Sequence, residues 1–200
     1  LANLLALRQE YTRSQTYGKE ALELYRTLGD KAKIANVLQY LAHVTVVLGD
    51  YARTEVLLEE SVELARDIGH ASLLTMSLVQ LGLLVGLRGD YARAESLARE
   101  AYAAVQAGGG HRETSLALIL LAFATLLQGK DSEAAEWLGE ATREARFFVE
   151  PWTTVTVLGG YAALAAKTMP ERAARLMGAS QALLDALGGA RVPLEEVVHE

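Results

Sequence analysis

The chain has 200 residues, a net charge of −6 and no cysteine. The missing thiols exclude disulfides, thiolate metal sites and cysteine nucleophiles. The acidic balance, with no basic run, argues against the lysine- and arginine-rich surface on which nucleic-acid affinity is built. Hydrophobic residues make up 51% of the chain and prolines number only 3, a composition that favours helix over disorder. The longest uncharged stretches, Ala71 to Leu87 and Thr114 to Gly129, fall short of a bilayer span and read as buried core helices. With no signal peptide read ahead of the helices and no cysteine, the expected location is cytoplasmic, without a membrane. The chain opens on Leu1 and not on methionine, which reads as a piece of something larger.

Shifted by forty residues, the sequence falls on itself without a gap from Leu1 to about Gln181, the mark of stacked repeats. In chain order the pattern predicts half a helix over Leu1–Arg8. Nine full helices follow, over about 11–28, 31–48, 51–68, 71–88, 91–107, 112–128, 131–147, 152–167 and 170–187. Apolar residues recur in them at three- and four-residue spacing. Glycine and a following polar residue punctuate the pattern, as at Gly49-Asp50 and Gly89-Asp90. Glycine can end a helix in the left-handed conformation, and aspartate can cap the next one. Each unit thus pairs a helix A with a helix B, in units of about 1–29, 31–69, 71–109, 111–149 and 151–188. Residues 1–190 form the array, and 191–200 form a tail in which a further helix would start at Pro193.

Three columns hold only small residues. They are Ala2, Ala42, Gly82, Ala122 and Ala162 in helix A; Ser14, Thr54, Ala94, Ala134 and Ala174 in helix B; and Ala21, Ser61, Ala101 and Ala141. Small side chains allow the two helices of a hairpin to approach closely, while leucines fill the gaps to the next hairpin. Leu81-Gly82 followed by Ala94, Ala98 and Ala101, with strings such as LGDYARTEVLLEESVELARDIG, resembles the tetratricopeptide repeat (TPR). The period of forty and the leucine in place of the usual helix-A tryptophan mark a long-repeat variant. The resemblance implies an all-α, right-handed α-solenoid of about five hairpins. At the end of the chain, Pro170 to Ala179 followed by Leu183 to Gly188 resembles the closing helix of sensor arrays in bacterial MalT/LuxR-type signal-transduction ATPases. That likeness implies a sensor or interaction region of a larger transcription regulator. The alternative is a free-standing scaffold or homo-oligomerisation adaptor.

Candidate chemistry is sparse. The histidines His43, His70, His111 and His199 have no partner at ligand spacing, so no metal site is expected. Gly108 to Gly110 follows a helix and lacks the lysine of a phosphate loop. Adjacent carboxylates such as Glu59-Glu60 do not face each other on a helix. No catalytic residue and no cofactor is expected, and the protein reads as a non-enzyme. The repeated Arg13, Arg53 and Arg93 read as solvated decoration or as a ladder to glutamates of the next hairpin.

The informative surface is the inner side of helix A, which lines the concave face in the resembled geometry. The expected partner-binding residues are Asn36, Gln39 and His43 in the second unit, Met76, Val79 and Leu83 in the third, and Leu116, Ile119 and Phe123 in the fourth. Val46, Val47, Leu87 and Leu127 extend the same face. An apolar strip of this width suits a protein or peptide partner, a small inducer, or a second copy. The alternative is an array that curls tightly enough to bury the strip on itself.

Overall fold

The computed structural model describes residues 2–108, 110–147 and 151–187. The expected tail, 191–200, lies outside the described residues. Among those described there are nine α-helices and no strand. They are α1 (Ala2–Leu28), α2 (Lys31–Val47), α3 (Tyr51–Asp67), α4 (Ala71–Leu87), α5 (Tyr91–Gln106), α6 (His111–Leu127), α7 (Asp131–Glu144), α8 (Pro151–Ala166) and α9 (Pro170–Ala186). A 3-10 turn, Ala145–Phe147, extends α7.

The turns follow from their residues. Gly49 and Gly89 adopt φ of +80° and +86°, a conformation that costs other residues about 1–2 kcal/mol. The aspartates that follow then cap the next helix: Asp50 and Asp90 each accept the backbone N–H three residues on at 3.0 Å. His70 takes the same place before α4, where its Nδ1 accepts from Leu73 N at 3.4 Å. The first expected turn does not exist. Gln9-Glu10 stands in the Gly49-Asp50 column, and with nothing to end the helix α1 runs unbroken from Ala2 to Leu28.

Helices α2–α3, α4–α5, α6–α7 and α8–α9 pack as antiparallel hairpins, and each stacks on the next. The small columns are mostly buried at these contacts: Ala42, Ala94, Ala101, Ala122, Ala134 and Ala141 are all 1% exposed or less. Gly82 is also buried, but a neighbouring hairpin fills its notch. A Cβ there would stand 2.5 Å from Leu120 Cδ2 on α6 and only 3.6 Å from the Ala94 carbonyl of its own hairpin. The column breaks at Ala174, which is exposed, while Ala173 is buried in its stead. Helix α9 begins at Pro170, one residue ahead of the column that starts α3, α5 and α7. Its inward face is accordingly displaced, and Ser180 Oγ, not residue 181, donates across the hairpin to Val155 O at 3.2 Å.

Several core hydroxyls hydrogen-bond between helices. Ser61 Oγ donates to Ala35 O at 3.1 Å and lies 2.8 Å from Ser77 Oγ. Thr45 and Thr54 share a hydrogen bond of 2.8 Å at the other end of the same hairpin. Most buried polar groups are paired in this way; among the described residues Gln80 Oε1 and Ser115 Oγ are buried without a hydrogen-bond partner.

Successive helices A approach one another closely along the array, as α2 with α4, α4 with α6 and α6 with α8. Successive helices B are held apart and bridged by long side chains, as in the pair Arg66–Glu100 between α3 and α5. A row that is short on one side and long on the other bends towards the short side. Helix A therefore lines the inner face.

Candidate functional site

The inner face is built from one stripe of each helix A. On α2, Asn36, Tyr40, His43 and Val47 are exposed at the i, i+4, i+7, i+11 spacing of one helical face, with exposed Lys33 one turn before them. The equivalent positions on α4 are Met76, Gln80, Leu83 and Leu87, all half-buried. On α6, Leu116 and Phe123 are half-buried, Leu127 is 52% exposed and Leu120 is buried. From Asn36 to Leu127 the stripe carries no carboxylate, lysine or arginine. Apart from the His43 imidazole its groups are apolar, phenolic or amide, in a protein whose outer face is densely charged.

The structure divides the nine expected residues. Asn36 and His43 are exposed on the stripe, and Met76, Leu83, Leu116 and Phe123 form its half-buried floor. Leu83, Leu116 and Phe123 also pack against the core. Gln39, Val79 and Ile119 are corrections. Gln39 Nε2 donates to Leu73 O at 3.0 Å and to Ser77 Oγ at 2.8 Å, joining α2 to α4. Val79 and Ile119 are 4% and 6% exposed and belong to the core. These three share a column that points between hairpins, and the lining column is one residue further on, at Tyr40 and Gln80. Tyr40, 48% exposed, was missed. A shift of one residue turns a side chain by about 100° on a helix, a difference that periodicity alone leaves open when both columns are apolar.

The outer face is a ladder of ion pairs between hairpins. Arg26 reaches Glu60 at 2.6 Å and Arg66 reaches Glu100 at 2.7 Å. Arg93 is clamped by Glu55 at 2.5 Å and Glu59 at 2.8 Å, and Arg88 also meets Glu55 at 2.6 Å. Hydrogen bonding to these carboxylates raises the pKa of Arg26, Arg66 and Arg93. The ladder thus holds for Arg93 but not for Arg53, whose side chain makes no ion pair among the described residues. Glu95 is the most enclosed rung, 9% exposed. It accepts from Lys130 at 2.6 Å, from Arg99 at 2.7 Å and from Gln128 at 2.8 Å. The hydrogen bond from Lys130 and those from Arg99 and Gln128 outweigh its desolvation and hold its carboxyl down at about 2. Lys130 stands in the column of the capping Asp50 and Asp90, so α7 forgoes a side-chain cap and carries Asp131 and Glu133 in its first turn.

Among the described residues no group of three or more His, Asp or Glu is placed to hold a metal ion. None of the helices is long and apolar enough to cross a membrane. His111 Nδ1 lies 2.7 Å from Glu144 Oε2, and its ring stacks on Phe147 at 4.5 Å. This contact joins the start of α6 to the 3-10 turn at the end of α7.

Alternating helices A and B, small-residue contacts within each hairpin and a helix-A inner face define an all-α solenoid of TPR-like repeats. Solved structures share that fold. One is BtubC (BKLC) from P. vanneervenii, 18% identical, with a TM-score of 0.71 over 94% of this chain and 78% of that one. Another is a variant of a putative kinesin light chain from P. anserina with nearly identical TPR-like repeats, 18% identical, with a TM-score of 0.57 over 94% of this chain and 97% of that one. No protein-family model matches the sequence, and no curated protein matches it.

Proposed function

We propose that this array is a protein- or peptide-binding module whose partner lays an amphipathic helix or apolar peptide along the inner face. One observation carries the reading: the stripe from Asn36 to Leu127 has no carboxylate, lysine or arginine yet is open to solvent at both of its ends, at Tyr40, His43 and Val47 and again at Leu127. Half-buried Met76 and Phe123 between those ends supply an adaptable floor and a flat aromatic one. Side chains of this kind act as anchors when a partner excludes water from them.

The same proposal places the module as the sensor or interaction region of a larger bacterial transcription regulator. The likeness of Pro170 to Ala179 and Leu183 to Gly188 to the closing helix of such arrays supports it. A free-standing scaffold, or a second copy on the same face, is the alternative that the test separates.

The test is selection of peptides from a displayed library on the purified array, followed by affinity measurements with Val47→Asp combined with Leu127→Asp. Both positions are exposed, so circular dichroism should stay unchanged. Selected peptides should be apolar and should lose at least tenfold in affinity. Selection of no peptide, or equal binding to the variant, overturns the inner face as the site. Self-association that the variant abolishes, seen by sedimentation, assigns the face to a second copy.

A further inference from the structure

The rung at Arg93 has a counterpart forty residues back in which its partner carboxylates are replaced. Between α3 and α5, Arg93 sits against Glu55 and Glu59 of the preceding helix. The same slot between α1 and α3 holds Arg53 in place of Arg93, Gln15 in place of Glu55 and Lys19 in place of Glu59. The repeat therefore puts two cations in the positions where the next rung closes an ion pair. Among the described residues Lys19 Nζ finds only Gln15 Oε1, at 3.5 Å. Arg53 is exposed, and among the described residues its side chain makes no ion pair. The nearby carboxylates on α3 are committed elsewhere: Glu55 to Arg88 and Arg93, Glu59 to Arg93, and Glu60 to Arg26. One turn on from Arg53, Val56 presents an aliphatic surface that is 51% exposed.

We propose that this slot across α1 and α3 docks an acidic segment of a partner protein, whose carboxylates pair with Arg53 and Lys19. Two carboxylates four residues apart on a helix are neighbours on one face, so a helical segment of this kind offers one to each cation. A carboxylate seated there relieves the repulsion between Arg53 and Lys19 and gains a planar guanidinium partner. Extended polyanions fit less well, because Glu20 and Glu23 flank Lys19 on α1 in a chain of net charge −6. This surface is on the opposite side of the array from the inner face and does not depend on it.

The experiment uses a labelled alanine-based helical peptide carrying two glutamates four residues apart, and its counterpart with glutamines. Anisotropy at low ionic strength should show binding of the first and not of the second. Lys19→Glu and Arg53→Ala should each weaken it at least tenfold. Lys19→Glu should also complete the missing rung and raise the melting temperature by roughly 2 °C. That gain should vanish when Arg53→Ala is added. A wild type that ignores the glutamate peptide, binding untouched by both variants, or a thermal gain that survives without Arg53 overturns the proposal.

Discussion

Leu120 of α6 lies over Gly82 of α4 so closely that a Cβ on the glycine would stand 2.5 Å from the leucine Cδ2. The stacking of the third hairpin on the fourth is therefore set by the absence of a side chain. Gly82→Leu should lower stability by about 1–3 kcal/mol, and Gly82→Ala by a smaller amount, in urea denaturation followed by circular dichroism. A loss confined to the leucine variant would mean that Leu120 can swing aside to admit a methyl group.

Gly86 is the control for that argument. It lies one turn further along α4, and a Cβ there would meet nothing closer than Ala94 Cβ at 3.6 Å, an ordinary contact. Gly86→Ala should therefore stabilise the protein by up to about 1 kcal/mol through helix propensity. The same urea titration reads both glycines, and the opposite signs are the prediction.

Glu95 should make stability depend on acid pH. Its carboxyl is held at about 2 in the folded protein, against an ordinary value of 4.5. A depressed folded value means that the unfolded chain binds the proton first, so the contribution is complete above about 4.5 and is lost as the pH falls towards 2. Glu95→Gln should cost on the order of 2 kcal/mol at pH 7. It should also flatten the acid limb of a stability–pH profile in that window. An unchanged acid limb would locate the acid sensitivity in other carboxylates.

Arg93 and Arg53 occupy the same repeat position with different neighbours. Arg93→Ala removes two ion pairs on a half-exposed surface and should cost roughly 0.5–1 kcal/mol, less at high salt. Arg53→Ala should cost nothing measurable. Thermal melts at low and high sodium chloride distinguish a ladder from decoration.

Leu83→Asp combined with Phe123→Asp should lower stability and helicity together. Both residues are half-buried and pack against the core, so a carboxylate at either place loses water that nothing replaces. Circular dichroism at rising temperature checks this directly, and an unshifted melt would mean that both side chains are free to leave the floor.

The sequence by itself determined the architecture. A forty-residue period of small and leucine columns, punctuated by turns such as Gly49-Asp50 and Gly89-Asp90 that supply both a stop and a cap, points to a row of helical hairpins. The period also predicted a first turn that the structure lacks, because Gln9-Glu10 has neither a stop nor a cap. Asn36, His43 and the floor residues Met76, Leu83, Leu116 and Phe123 fell on the inner stripe. Only the tertiary structure decided between neighbouring apolar columns. Helix A is surrounded by other helices, so its hydrophobicity is nearly uniform and its pattern does not mark which side stays open. Hence Val79 and Ile119 proved to be core, and Gln39 a hydrogen-bonded link between hairpins. The pairing of Arg93 with Glu55 and Glu59 likewise needed the spacing between helices B, a distance that exists only once the hairpins have stacked.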